Sequence, residues 1–312
     1  MEKNWTKRDF SRVLALAGGV AVSRRLLPQA PPVRATPSER TLKIGCATLA
    51  WNVSPPSLEL FGQAIQEISS LGYWGFETVG PMLEALSADG ALARLIEKYE
   101  LPLKAGYMDV NLTDPSMRKD QIARVQKVAG IIKKHGGSYL VVAPNGRRRP
   151  APFHFPEHKS NIVEALNEYG MAIHDIGLGA GLHQHTGTVV DTKDEVYAVM
   201  EAVNTEHMRF APDVGQLQKA GTDAAKVVKD FAQIIDHMHL KDFSNGKYMG
   251  GYCPLGMGVV DLESILNTVE EAGLKPDVIH ELDRPPNTPM TAHATAAFGK
   301  AYLMRLGYKF RS

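Results

Sequence analysis

The chain predicts an α/β fold, a (β/α)8 TIM barrel, on three observations. Eight short β-type runs alternate with amphipathic helical stretches from Leu42 to the end, as a parallel sheet requires. No linker-like segment divides the chain after residue 41. The 312 residues suit one barrel of about 250 residues plus an N-terminal extension.

In order, the β-type runs are "LKIGCATLAW" (42–51), "WGFETV" (74–79), "PLKAGYMDV" (102–110) and "SYLVVAP" (138–144). They continue with "GAGLHQH" (179–185), "MRFAPDV" (208–214), "HMHLKDF" (237–243) and "DVIHELD" (277–283). Between them, apolar residues recur three and four apart over 57–72, 118–136, 159–177, 224–236 and 261–273, the period of a helix with one buried face. Several of these stretches stop at Gly, the usual end of a helix. The longest irregular pieces, 145–158 and 244–260, follow the fourth and seventh strands. Loops of that kind build the active-site face of such a barrel, so both are candidate substrate loops, with plain surface insertion as the alternative.

The first 35 residues stand apart. A basic start, the apolar run Val13–Val22 and a Pro-rich stretch ending at Ala35 have the layout of an export leader followed by a linker. The apolar run is too short to span a bilayer. "TKRDFS" resembles the twin-arginine motif, with Lys7-Arg8 in place of the Arg pair, and Arg24-Arg25 suit the same route. The expected domains are therefore a leader over 1–35 and a barrel over 41–312, with the mature protein periplasmic or extracellular. A retained amphipathic extension, leaving the protein in the cytoplasm, is the alternative.

Composition narrows the function. Hydrophobic residues make up 44% and charged residues 22%, an ordinary globular balance. The formal charge is +1; residues 1–35 carry seven Lys/Arg against two Asp/Glu, so removing that +5 leaves a mature domain at −4. Neither value favours nucleic acid or a stable membrane association. Cys46 and Cys253 show no zinc-type spacing, and a single bridge between them stays open. Homo-oligomerisation also stays open.

The strand ends carry the chemistry. In an extended segment residues i and i+2 face the same side, so His183 and His185 of "GLHQHTGT" project together, with Gln184 opposite. Glu77 closes the second strand, Asp213 the sixth, His239, Lys241 and Asp242 the seventh, Glu281 and Asp283 the eighth. Charges are expensive inside an apolar wall unless paired or bound to metal. His183, Asp213, His239 and Glu281 come from four consecutive strands. Two imidazoles and two carboxylates suit one divalent ion (Mn²⁺, Co²⁺, Fe²⁺ or Zn²⁺, and Mg²⁺ less well). A metal-free ionic network in the barrel mouth is the alternative.

The segments "LGYWGFETVG", "LHQHTGT", "PDVGQLQKAGTDAAKVVKDFAQIIDHMHLKD", "PLGMGVVDLESIL" and "VIHELDRP" resemble, in order, motifs of the xylose-isomerase-like barrel superfamily. That group includes sugar phosphate isomerases and epimerases, inosose dehydratase and endonuclease IV. The strand-five pattern is similar to that of inosose dehydratase. The resemblance implies that Asp213, His239 and Glu281 are metal ligands and that His183 stands where the epimerases have a glutamate that binds metal and moves a proton. It also places His185 on a neighbouring histidine common in the group. Gln216 departs from the usual Asp-x-x-His, and Met257 in "GMG" replaces a commonly acidic residue.

A family epimerase uses two acid/base groups flanking one carbon, and one of its two glutamates is His183 here. One-sided proton abstraction beside a metal-held carbonyl remains, which suits aldose–ketose isomerisation or β-elimination from a keto-sugar or keto-polyol. Glu281 is the candidate ligand and base, and His185 the acid/base. Lys241 is the candidate oxyanion stabiliser, or a structural partner of Asp242. Glu77 either binds a substrate hydroxyl or braces the ligands. Trp51 either stacks on a sugar or packs in the core, and Gln216 makes a substrate or ligand-supporting contact. Arg147, Arg148 and Arg149 either grip a phosphate or form a solvated loop. An endonuclease IV-like phosphodiesterase and a non-catalytic sugar-binding barrel are the competing function classes.

Overall fold

The computed structural model describes residues 40–54, 56–145, 153–283 and 288–312. The leader over 1–35 and Arg147–Arg149 lie outside the described residues.

Eight parallel strands form the barrel: β1 Gly45–Ala47, β2 Phe76–Val79, β3 Leu103–Val110, β4 Tyr139–Pro144, β5 Gly179–Leu182, β6 Arg209–Phe210, β7 His237–Leu240 and β8 Asp277–His280. Their hydrogen-bonded order is β6-β5-β4-β3-β2-β1-β8-β7. Isolated parallel bridges, Phe210 to Ile235 and Asp213 to His239, close the ring between β6 and β7. Around it run α1 Leu58–Ser70, α2 Gly80–Ser87, α3 Ala91–Tyr99, α4 Arg118–Lys134, α5 Phe155–His174 and α6 Lys193–Met200. They are followed by α7 Val214–Lys219, α8 Ala224–Phe231, α9 Leu262–Glu271 and α10 Ala292–Arg305. Among the described residues no helix is long and apolar enough to cross a membrane.

The helices begin where local chemistry satisfies their free N–H groups. Ser57 caps α1, Thr192 and Glu195 form a reciprocal capping box at α6, and Asp213 caps α7. The main core lies between strands and helices, with Phe61, Ile65, Phe76, Leu140 and Val227 among its fully enclosed side chains. A smaller cluster of Ala105, Tyr139, Val141 and Ala211 is packed separately.

The strands are shorter than the β-type runs. The first ends at Ala47 and continues as a 3₁₀ turn, Thr48–Trp51, because the chain must leave the wall to reach α1. The fifth ends at Leu182, before His183, and the eighth at His280, before Glu281. These candidate residues therefore stand just past the paired strands, where the chain diverges into the barrel mouth. The seventh run splits: β7 stops at Leu240, and Asp242–Phe243 pairs antiparallel with Tyr252–Cys253 in a small ribbon. Asp242 accepts four backbone N–H bonds, from Phe243, Gly256, Gly258 and Val260, at 2.8–3.1 Å, which holds the loop beyond that ribbon. Both cysteines are buried and free, so no bridge joins them.

Candidate active site

The site forms where β5–β8 end. His183 keeps its backbone N–H on Val142 (2.8 Å), so the extended path outlasts the strand. Its Nδ1 donates to the Ala211 carbonyl at 3.0 Å, which leaves the Nε2 lone pair free and aimed at Asp213 Oδ2, 3.8 Å away. Burial, reinforced by the nearby His239, pushes its pKa down to about 3. This imidazole is neutral, the form a metal requires.

Asp213 divides its two oxygens. Oδ1 caps α7 by accepting from the N–H groups of Gly215 (2.9 Å) and Gln216 (3.0 Å). Oδ2 is fully buried and faces Lys241 Nζ at 2.7 Å. The bridge between Asp213 and His239 sets these neighbours side by side, with the His239 N–H on the Pro212 carbonyl at 2.9 Å.

The His239 imidazole lies between two carboxylates. Its Nδ1 donates to Glu281 Oε2 at 2.8 Å, and its Nε2 lies 2.8 Å from Glu77 Oε1. Burial opposes its charge, but Glu77 and Glu281 outweigh burial and hold its pKa well above the usual histidine range. Burial likewise opposes charge on Lys241. Its contacts to Asp213, Glu281 (2.8 Å) and Asp283 (3.2 Å) prevail, and the ammonium is kept charged.

His185 and Gln216 form a second unit at the cavity edge. The Thr186 N–H donates to Gln216 Oε1 at 3.2 Å, which fixes the amide orientation. Gln216 Nε2 then donates to His185 Nε2 at 2.7 Å, and His185 Nδ1 lies 3.3 Å from the Thr186 carbonyl. The lone pair of His185 is thereby held at Nε2. Gln184 points the other way, donating to the Asp213 carbonyl at 2.8 Å. The i, i+2 reading of this stretch thus describes its side chains.

These groups open into a cavity of about 610 Å³, within the usual range for small-molecule sites. Its lining includes His183, His185, Gln216, Lys241 and Glu281.

Several expected roles resolve differently. Trp51 does not line the cavity. It is buried, and its Nε1 donates to Glu67 on α1 at 2.7 Å, because the 3₁₀ turn rotates it outward. Glu77 borders the cavity but is only 2% exposed, and both of its oxygens meet histidines of β7, His237 and His239, each at 2.8 Å. Lys241 does not pair with Asp242. Adjacent residues of an extended segment point to opposite sides, so Asp242 turns to the loop backbone. Met257 lies in that loop and is not a lining residue.

Other groups at the site were not singled out from the sequence. Tyr107 on β3 packs its ring edge against His183 at 5.4 Å and faces His239 at 6.3 Å. Tyr252 of the ribbon lies under the Lys241 ammonium, 5.0 Å from ring centroid to Nζ. Lys219, at the end of α7, donates to the Gly250 carbonyl at 2.9 Å. His237 sits two residues before His239 on the same face of β7, a spacing that signals it just as it signals the 183/185 pair.

The donor chemistry fits a divalent ion. His183, Asp213 and His239 each offer a ligand atom, all within 4.8 Å of one another. Asp213 Oδ2 is buried and makes no aligned hydrogen bond, although the Lys241 ammonium lies 2.7 Å away. Glu281 stands beside this cluster, its Oε2 2.8 Å from His239 Nδ1. To ligate through Nδ1, His239 would give up the proton it shares with Glu281, as coupling between metal binding and proton release requires.

Residues 65–302 match the family model described as a xylose isomerase-like TIM barrel. The chain is 23% identical over 274 residues to inosose dehydratase from Clostridium perfringens, covering 78% of this chain and 91% of that protein. It is 26% identical over 275 residues to the rhizopine catabolism protein MocC from Rhizobium meliloti, covering 79% and 83%. Among solved structures, the IolI protein with a bound zinc atom superimposes with a TM-score of 0.70 at 20% identity, covering 87% of this chain and 100% of that one.

Proposed function

The chain belongs to the xylose isomerase-like TIM-barrel family, and we propose that it is a divalent-metal-dependent sugar isomerase or lyase. Its substrate is a keto-sugar or keto-polyol that loses the proton next to its carbonyl. The observation that carries this reading is the convergence of His183, Asp213 and His239, with Glu281 in contact with His239, beside a buried, charged Lys241. Relatives named inosose dehydratase, and a structural neighbour that holds zinc, support it.

When bound by His183, Asp213, His239 and Glu281, a divalent ion supplies Lewis acidity to a substrate oxygen. The protein's own groups do the rest. Lys241 keeps an ammonium where negative charge grows on that oxygen, in an enclosed site where its field is weakly screened. Glu281 is the carboxylate available to take the proton. His185, with its lone pair held at Nε2, exchanges a proton with the substrate when a hydroxyl displaces the Gln216 amide.

Elimination of the inosose-dehydratase type is favoured over free epimerisation by one residue. His183 replaces the family's second glutamate, and with Nδ1 bonded to the Ala211 carbonyl and Nε2 the atom left for a metal, its imidazole has no further nitrogen to accept a proton. Proton removal then runs from one face only. We also propose that residues 1–35 direct export, on the strength of their basic start and apolar run.

The deciding experiment follows solvent deuterium into a panel of keto-inositols and keto-sugars, using manganese- or cobalt-loaded protein and NMR of the products. Metal-dependent exchange at one carbon, with an unsaturated or isomerised product, is expected. Stoichiometric metal without exchange in any member would favour a sugar-binding barrel. Exchange on both faces of one carbon would mark an epimerase.

A further inference from the structure

Beside His183, Asp213 and His239 lies a second group, Glu77 and His237 with His239, whose ligand-type atoms also lie within 4.8 Å of one another. His237 and His239 project from the same face of β7, with ring centroids 5.4 Å apart. Glu77 reaches across from β2 and touches both, with Oε1 2.8 Å from His239 Nε2 and Oε2 2.8 Å from His237 Nε2. Residues 77, 237 and 239 are each at most 2% exposed. Both approaches are close but bent, since neither ring nitrogen of His237 nor Nε2 of His239 makes an aligned hydrogen bond.

The ring of His237 is itself fixed. It stacks on Tyr139 from β4 at 4.9 Å and 11°, and Tyr139 fits only because residue 181 is glycine: a Cβ there would stand 2.3 Å from the phenolic oxygen. A chain of contacts therefore runs from Gly181 and Tyr139 through His237 and Glu77 to His239. At its near end, a carboxylate on Nε2 is the partner that keeps a histidine's proton on that nitrogen and leaves Nδ1 for a metal. A carboxylate placed between two imidazoles can serve the second only if the first holds it in place.

We propose that His237 is a positioning residue. Acting through Glu77, it holds the His239 imidazole in the tautomer and orientation that present Nδ1 to the metal. The inference rests on the metal reading given above, and it concerns affinity and ligand geometry, not proton transfer to substrate.

The test uses cobalt(II) with the full chain, His237→Phe and His237→Gln. It reads the dissociation constant by chelator competition, the visible absorption of the bound cobalt, and the melting of the metal-free forms. Phenylalanine keeps the stack on Tyr139 and removes the contact to Glu77. It should weaken cobalt about 10- to 100-fold, as loss of a partner behind a ligand does, and shift the cobalt bands. Glutamine restores an N–H donor and should recover most of the affinity. Should the phenylalanine variant not accumulate in soluble form, Glu77→Gln reports on the same contact and should weaken cobalt over the same range.

Unchanged affinity and spectrum in His237→Phe, or in Glu77→Gln where it stands in, with only the metal-free melting lowered, would make His237 a packing residue and overturn the proposal. An anomalous-scattering peak between Glu77 and His237 in cobalt-loaded crystals would also overturn it, assigning the pair to a second ion. Wild-type protein that binds no cobalt would defeat the metal reading itself. Binding that survives unaltered in the variants would defeat the positioning role alone.

Discussion

Asp213 Oδ2 lies 2.7 Å from Lys241 Nζ, while the other oxygen of the same carboxylate caps α7. One side chain thus starts a helix and pairs with Lys241 in the candidate site, and substitutions can separate the two contacts. Asp213→Asn retains the capping oxygen and removes the charge, so the fold should persist and bound metal should be lost. Asp213→Ala should lose the metal and, in addition, about 1 kcal/mol of stability with the cap. His239→Ala should lose the metal as well. Elemental analysis and thermal melts of the three variants check this, and undiminished metal in all of them would exclude these ligands.

His185 stands clear of the ligand cluster, its ring centroid 6.4 Å from that of His183. His185→Ala should keep the metal and lower turnover by about 10²–10⁴-fold, the range for a lost acid/base. Gln216→Ala should have a smaller effect, because it frees the His185 ring without removing it. Single-turnover proton exchange at saturating metal is the measurement, and wild-type exchange in His185→Ala would remove that residue from the mechanism.

His280, next to Glu281 in the chain, carries a pH signature of its own. Tyr73 donates its hydroxyl to the Ala296 carbonyl, so His280 Nδ1 is the donor to Tyr73 oxygen, both contacts being 2.8 Å. Its buried Nε2 has no partner, and burial pushes its pKa down to about 4. The unfolded chain takes up this proton near pH 6.5, whereas the folded protein resists until about pH 4. Stability from this group is therefore complete above about pH 6.5 and falls as pH drops through that window. The expected loss is about 2 kcal/mol at pH 5 relative to pH 7.5. Urea denaturation of wild type against His280→Gln should show a slope shallower by about that amount in the variant, the part that remains coming from groups such as His183.

The proposed export leader is tested by sequencing the N-terminus of protein recovered from the native host. Cleavage near Ala35, outside the cytoplasm, is expected. An intact Met1 on cytoplasmic protein would refute it.

Alternating β-type and helical stretches were enough to read the barrel, because strand and helix periods are local properties of the chain. The ends of the strands were not legible to the residue. Whether β5 stops at Leu182 or continues to His185 depends on when neighbouring segments diverge, which no local pattern records. The candidate ligands were legible for a related reason. Carboxylates and imidazoles that end apolar strands must be satisfied somewhere, and the barrel mouth is where strand ends converge.

By itself the sequence determined the β/α order, the glycine stops of several helices and the residue types available at the strand ends, all consequences of nearest-neighbour chemistry. Only the tertiary structure decided how those groups are shared. Trp51 turns to Glu67 because of a 3₁₀ turn that a strand-like pattern conceals. Lys241 faces three carboxylates from β6 and β8 instead of its neighbour Asp242. Glu77 is drawn to two histidines more than 150 residues away in the chain. Such contacts are set by ring closure, which brings strands from early and late in the chain together, and charge pairing at that distance has no counterpart in local sequence.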